Sequence, residues 1–352
     1  MRRTLPFAAA GLLAIVLLVR HYDVSALGRA LVGIGVMGPA AVAVVNFVPM
    51  ALCAGAWRGL LPDSSGLRAF LWFRYTRDAA SDLLGFIPAA GELAALQQMT
   101  RFGIEGRTSV PLLIADLTLQ MIAQLVFTVA GVALLFAISP NGPVMRTAFV
   151  GLLLLAAILV AFISVQRWGV GRMLAALARR VFPGAVPGDG MFVEFDARLG
   201  GIYADRRRVA VSTTLHTAAW FIGISEAGLI LSLMGAWPGL KVVLVLESLA
   251  FALRTAAFFV PAAWGVQEAA YVLVGSVFGL APETMLALAL VKRARELAVG
   301  VPVLVVGQTL SGFPPFARKS AGPRSDGHFT RSDPAASAGK ENKSSGLSSN
   351  LG

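Results

Sequence analysis

The sequence predicts an all-α fold: a polytopic helical membrane bundle with two pseudo-symmetric broken or re-entrant helix segments. Three observations predict it. Of the 352 residues, 57% are hydrophobic and only 14% charged, with a mean hydropathy of +0.74, where a water-soluble domain would carry about 25% charged residues. The apolar residues gather in runs that approach the roughly 20 residues needed to cross a bilayer core. A short motif of proline, glycine and glutamate is written twice. A closed β-barrel would also satisfy its backbone groups in lipid, but its alternating segments of about ten residues are absent.

The first run, Leu5–Val19, follows Arg2 and Arg3 and so resembles a secretory signal. No small-x-small cleavage site closes it before Arg20, and further spans follow, so a retained first helix is expected. The second run, Ala30–Trp57, contains the single cysteine, Cys53, which forbids an intrachain disulfide. Then comes the first motif, FIPAAGELAALQQMTRFGI (86–104), preceded by Arg77, Asp78 and Asp82.

The third run, Val110–Ile138, carries Asp116, Gln120, Gln124 and Thr128. A spacing of four puts them on one helix face, either as a hydrogen-bonded seam between helices or as the wall of a hydrated groove. After the loop SPNGPVMR (139–146), the run Thr147–Val165 leads into a polar segment, 166–208, holding eight arginines against four acids. The positive-inside rule makes that segment cytoplasmic. Within it VGRMLAALARRVF reads as an amphipathic helix suited to an anionic leaflet, or as a solvated linker. With Met1 inside, four spans return the chain to the cytoplasm at 166, so the parity agrees.

Val209–Gly235 contains His216 and Glu226, ten apart and so not on one clean face. The loop GAWPGLK (235–241) carries one basic residue and is placed outside. Val242–Leu253 contains Glu247 and leads to Arg254 and the second motif, FVPAAWGVQEAAYVLVGSVFGL (259–280). Lys292, Arg293, Arg295 and Glu296 then lie between two apolar stretches, either ending a helix at the surface or placing cations in a groove. In all, residues 1–311 form an integral membrane domain of about 6–8 spans, and 312–352, rich in Ser, Gly, Lys and Arg, form a disordered cytoplasmic tail that cannot bury enough surface to offset its ordering entropy.

Pro88 and Pro261, each followed by Ala-Ala and soon by Gly91 or Gly265, should break their helices. Irregular backbone at membrane depth is tolerated only against protein or a water-filled cavity, and matching breaks in two halves point to a transporter's midplane site. The charges beside the breaks are costly in a membrane and normally face its interior. They are structural ion pairs or a lipid-headgroup site, since arginine forks onto phosphate and carboxylates accept from hydroxyl or ammonium groups. The candidate substrate-binding residues are Arg77, Glu92, Asp116, Gln120, Glu247, Arg254, Gln267 and Glu268. No catalytic residue is assigned.

Several chemistries lack their residues. There is no GxxxxGK[ST] loop for ATP-driven export, no HExxH, no GxSxG elbow, and three histidines with one cysteine form no metal or haem set. No cofactor is expected. The net charge of +11 is distributed as membrane topology requires, so no nucleic-acid partner is expected either.

The run RDAASDLLGFIPAAGELAALQQMTRFGIE with ADLTLQMIAQLVFTVAGVALL resembles the first half of the lysylphosphatidylglycerol synthase transmembrane, or flippase-like, superfamily. The stretch SLAFALRTAAFFVPAAWGVQEAAYVLVGSVFGLAPETMLALALVKRARELAVGVPVLV is closer to its hopanoid-biosynthesis-associated (HpnL-type) branch. The resemblance covers about residues 5–311. It implies a multi-pass protein of a bacterial inner membrane, associated with moving hopanoids toward the outer membrane. It also implies no aminoacyl-transferase activity, because nothing after Gly312 could fold into the soluble synthase domain. The implied partners are a hopanoid or other amphiphilic lipid and lipid-biosynthesis or transport proteins. Two other functions stay open: an intramembrane enzyme modifying a lipid headgroup, with Glu92 or Glu268 as general base, and a non-catalytic scaffold docking through 166–208.

Overall fold

The computed structural model describes residues 25, 28, 32–35, 38–61, 66–84, 87, 89–138, 143–167, 189–256 and 265–309. These form ten α-helices and no strand. The first expected span, the amphipathic stretch 170–182, the tail 312–352, and Pro88 and Pro261 lie outside the described residues.

The helices are α1 (Gly38–Leu60), α2 (Leu67–Leu83), α3 (Ala90–Arg101), α4 (Gly106–Ile138), α5 (Pro143–Arg167), α6 (Asp189–Ala204), α7 (Arg206–Leu233), α8 (Leu240–Ala256), α9 (Val266–Val277) and α10 (Pro282–Thr309). Four stretches among them are long and apolar enough to cross a membrane: Ala40–Leu60, Gly106–Ile138, Phe149–Gln166 and Arg206–Leu233. Helix α10 is as long as α7, at 28 residues, but the cluster Lys292–Glu296 lies in its middle. That cluster therefore does not end a helix. Proline at the first position of α10 suits a helix start, where its missing N–H would be unbonded anyway. Helix α7 starts where the Asp205 carboxylate accepts from the Arg208 backbone N–H at 3.1 Å.

The two written motifs become two helical hairpins with matched arms. Helices α2 and α8 each have 17 residues, and α3 and α9 each have 12. Both pairs are antiparallel, as their bonds show: Trp72 to Gln98 and Arg77 to Glu92 in the first, Tyr271 to Glu247 and Arg254 to Gln267 in the second. A 17-residue arm is about 25 Å long, short of the roughly 30 Å apolar core.

The surroundings of the hairpins match as well. Helix α1 packs along α7, α2 packs on α10, and α8 packs on α4. Exchanging α1–α4 with α7–α10 maps these packings onto one another. Asn46 meets Glu226, Gly55 meets Leu215 and Gly38 meets Leu233, so α1 and α7 run antiparallel. A two-fold relating antiparallel neighbours lies across their axes, the arrangement of an inverted repeat. There are two apolar cores. One gathers Trp57, Phe70, Phe73, Met99 and Leu112 from the first unit, and the other gathers Ile230, Leu246, Tyr271, Met285 and Leu288 from the second together with Val42, Phe127 and Leu135 of α1 and α4. Helix α6 closes the base of α4 through Arg198 on Thr108 (3.2 Å) and Tyr203 on Thr118 (2.9 Å) and Gln166 (2.6 Å).

Candidate functional site

Between the two cores lies a cavity of about 520 Å³, walled by α1, α2, α4, α7, α8, α9 and α10, within the size range of small-molecule pockets. Its walls carry five cations and five carboxylates: Arg74, Arg77, Arg254, Lys292 and Arg295 against Asp78, Asp82, Glu226, Glu247 and Glu296.

Helix α2 supplies the first group. Arg74 and Asp78 are one turn apart, and the guanidinium Nε donates to the carboxylate at 3.0 Å. Arg77 donates to the other Asp78 oxygen at 3.1 Å and to Glu92 at 2.8 Å. Arg74 reaches α4 too, with Asp116 at 3.8 Å. When the Gln120 amide is oriented with its oxygen toward the guanidinium, that oxygen accepts from Arg74 at 2.6 Å. Asp116 in turn accepts from His216 Nε2 on α7 at 2.7 Å, with both side chains about 1–2% exposed.

Helices α8, α9 and α10 supply the second group. Glu247 is held between the Tyr271 hydroxyl and the Lys292 ammonium, each at 2.7 Å, and Lys292 lies 5.7 Å from the Phe251 ring centroid, within cation–π range. Arg295 crosses to Glu226 at 2.9 Å, whose other oxygen accepts from Asn46. Arg293 donates to Glu296 at 3.0 Å and lies 3.5 Å from Glu268. An ion pair buried with its hydrogen bonds complete is tolerated, whereas either partner alone is costly. Charge at this depth is therefore met by charge.

The hairpins touch near their breaks. Arg254, two residues before the end of α8, donates to Asp82, one residue before the end of α2, at 3.2 Å, and to Gln267 at 3.1 Å. Gln124 donates to Thr255 at 2.6 Å. Phe127 stacks on Trp220, which meets Phe251 edge to face, and the three rings give the cavity an apolar side.

Of the residues singled out in the sequence, Arg77, Gln120, Glu247, Arg254 and Gln267 line the cavity. Glu92, Asp116 and Glu268 are not among the described residues that line it. Asp116 stands behind His216, and Glu92 behind Arg77. Glu268 is fully buried, accepting from the Gly265 N–H at 2.9 Å. The α4 stripe does both things open to it: Gln120 and Gln124 face the cavity, while Asp116 bonds across helices.

His216 and Glu226, which their spacing set apart as lone polar residues, both line the cavity and both have partners. The Lys292–Glu296 cluster supplies cations to the groove. Arg74 and the pairing of Arg295 with Glu226 were not legible, because opposite charges far apart in sequence carry no spacing signal. Among the described residues no group of three His, Cys, Asp or Glu could hold a metal ion.

Residues 5–303 match the family model described as the lysylphosphatidylglycerol synthase TM region. No curated protein and no solved structure matches the chain.

Proposed function

Since the chain belongs to the lysylphosphatidylglycerol synthase TM-region family, whose membrane domains have a lipid-related role, we propose that it is a lipid translocation factor of the bacterial inner membrane. It is not ATP-driven, and its cargo is a hopanoid moving toward the outer membrane. The observation that carries this reading is the charge-lined cavity of about 520 Å³ set between helices that are apolar along their outer faces. An amphiphile's polar end needs such a place while its apolar body remains in lipid. An inverted repeat supplies two alternative closures around one fixed site, which is how rocking transporters work. The hopanoid assignment is supported by the resemblance of the second motif and the α10 cluster to the hopanoid-associated branch.

A second reading, an intramembrane enzyme acting on a lipid headgroup, draws on the buried His216–Asp116 pair, which has the form of a general base with its orienting carboxylate. Lipid analysis of a deletion strain separates the two. The translocation reading expects unchanged total hopanoid with a depleted outer membrane, restored by the wild-type chain but not by Arg254→Ala at normal protein level. Loss of one modified lipid species from the whole cell would replace it with the enzyme. An unaltered distribution of every lipid would end both.

A further inference from the structure

The wall of the cavity limits what headgroup it accepts. Resting on the lipid-translocation reading, we infer that the cavity takes the uncharged, hydroxyl-rich headgroup of an amphiphile and discriminates against phosphate and against permanent cations.

The first reason is charge. Five cations face five carboxylates, and each lining cation already has a carboxylate partner within 3.2 Å. A phosphate therefore finds no net positive field. To gain an arginine fork it must displace a carboxylate, which then stays buried without its cation, a loss of the size that breaking a buried pair incurs. A quaternary ammonium faces the same balance with the sign reversed. An uncharged hydroxyl disturbs no pair.

The second reason is hydrogen bonding that the wall leaves open. His216 is 1% exposed, lines the cavity beside Cys53, and its Nδ1 makes no hydrogen bond among the described residues. Its Nε2 faces the Asp116 carboxylate and must carry the proton there, so Nδ1 of the neutral ring is an acceptor. An ionised phosphate has no proton to offer it, whereas a hydroxyl does. Were the ring charged, Nδ1 would donate to a hydroxyl or to a phosphate oxygen alike, and discrimination against phosphate would then rest on the paired charges of the wall. Glu296 Oε1 is ion-paired to Arg254 and Arg295, each at 4.0 Å, beyond hydrogen-bond distance, so it can still accept a hydroxyl proton. A polyol brings several hydroxyls that both donate and accept, and the Gln120 and Gln124 amides, which also donate and accept, line the same cavity as His216 and Glu296.

The test is a competition on the purified full chain. Equimolar N-dodecanoyl-N-methylglucamide, dodecyl phosphate and dodecyltrimethylammonium share a tail and differ in headgroup. Native mass spectrometry reads which is retained. The glucamide should be retained over each of the others by about tenfold. Glu226→Gln, or Asp82→Asn where the first does not fold, makes the wall net positive and should shift retention toward dodecyl phosphate by about tenfold. Preferential retention of the phosphate by the wild type, equal retention of all three, or no shift in a folded variant overturns the inference and leaves the translocation reading standing. Retention of none overturns it too, and together with normal lipid distribution in the deletion strain it removes both.

Discussion

The two hairpins start from the same pattern and use its glutamate differently. Counted from the left-handed residue that precedes each short arm, Ala89 in the first and Gly265 in the second, Glu92 and Glu268 both occupy the third helical position. By the same count Gly91 corresponds to Gln267, and the Gly91–Gly265 match suggested by the letters is out of register. In the second hairpin Gln267 reaches Arg254, so Glu268 is free to turn back onto the Gly265 N–H and to meet Arg293. In the first, Gly91 has no side chain to offer, and Arg77 takes Glu92 instead. Gly91 is needed there: a Cβ on it would stand 2.7 Å from the Arg77 carbonyl oxygen and 2.1 Å from Ser81 Oγ. Close arm packing in one hairpin thus decides which residue answers the arginine, and a repeated motif does not imply a repeated role.

The largest test of that difference removes each glutamate. Glu268 is fully buried while the Glu92 side chain is 29% exposed. Glu268→Ala leaves the Gly265 N–H unbonded and weakens the pairing of Arg293, and should cost about 3–5 kcal/mol. Glu92→Ala leaves Arg77 still bonded to Asp78, in a partly exposed pair worth at most about 1 kcal/mol. Titration with a denaturing detergent, followed by tryptophan fluorescence, should order the two variants that way. Equal losses would mean that the two carboxylates do the same job.

Gly91→Ala tests why the first hairpin is built as it is. The Ser81 hydroxyl can rotate away, but the Arg77 carbonyl cannot, so the arms must part by a few tenths of an ångström. The expected loss is about 1–3 kcal/mol, and the Arg77–Glu92 bond should lengthen with it. The counterpart, Gln267→Gly, meets no such contact. It should lose the bond to Arg254 and some helix propensity, about 1–2 kcal/mol together. If Gly91→Ala is neutral in the same denaturation assay, the arms do not approach as closely as the geometry requires.

What the sequence made legible follows the physics of each feature. Burial in lipid demands long apolar runs, so α1, α4, α5 and α7 are plain in composition. Proline and glycine together weaken a helix most, so both hairpins could be placed by their Pro-Ala-Ala and Gly breaks, whereas the lone Pro49, Pro111 and Pro302 lie inside α1, α4 and α10. The α4 stripe was visible because one helix carries its own period. By contrast, Arg295 with Glu226, His216 with Asp116 and Arg254 with Asp82 join helices distant in the chain. Only the inverted packing of the two units brings them together, and no local period encodes that. The α10 cluster was visible as charge, but whether it lay in water or in the cavity depended on the partners that α7 and α8 present.

The smallest effect concerns the residue from which each short arm starts. Ala89 has φ 57° and ψ 26°, and Gly265 has φ 80°. A left-handed residue costs an L-amino acid with a Cβ roughly 1–2 kcal/mol and glycine almost nothing, so the first hairpin carries a strain that the second does not. Ala89 also lacks a side-chain cap, and its helix has no glutamate turned back to it, because Arg77 holds Glu92. Ala89→Gly relieves the strain but gives the unfolded chain more freedom, which offsets about 0.4–1 kcal/mol of the gain. The net stabilisation should be about 0.5 kcal/mol. Gly265→Ala runs the exchange in reverse: the added strain acts against the folded state and the stiffened unfolded chain offsets part of it, for a net loss of about 0.5–1 kcal/mol. The pair of variants should therefore move in opposite directions in the same denaturation assay. Movement in the same direction would show that the two short arms do not begin from equivalent backbone, and the register that equates Glu92 with Glu268 would fall with it.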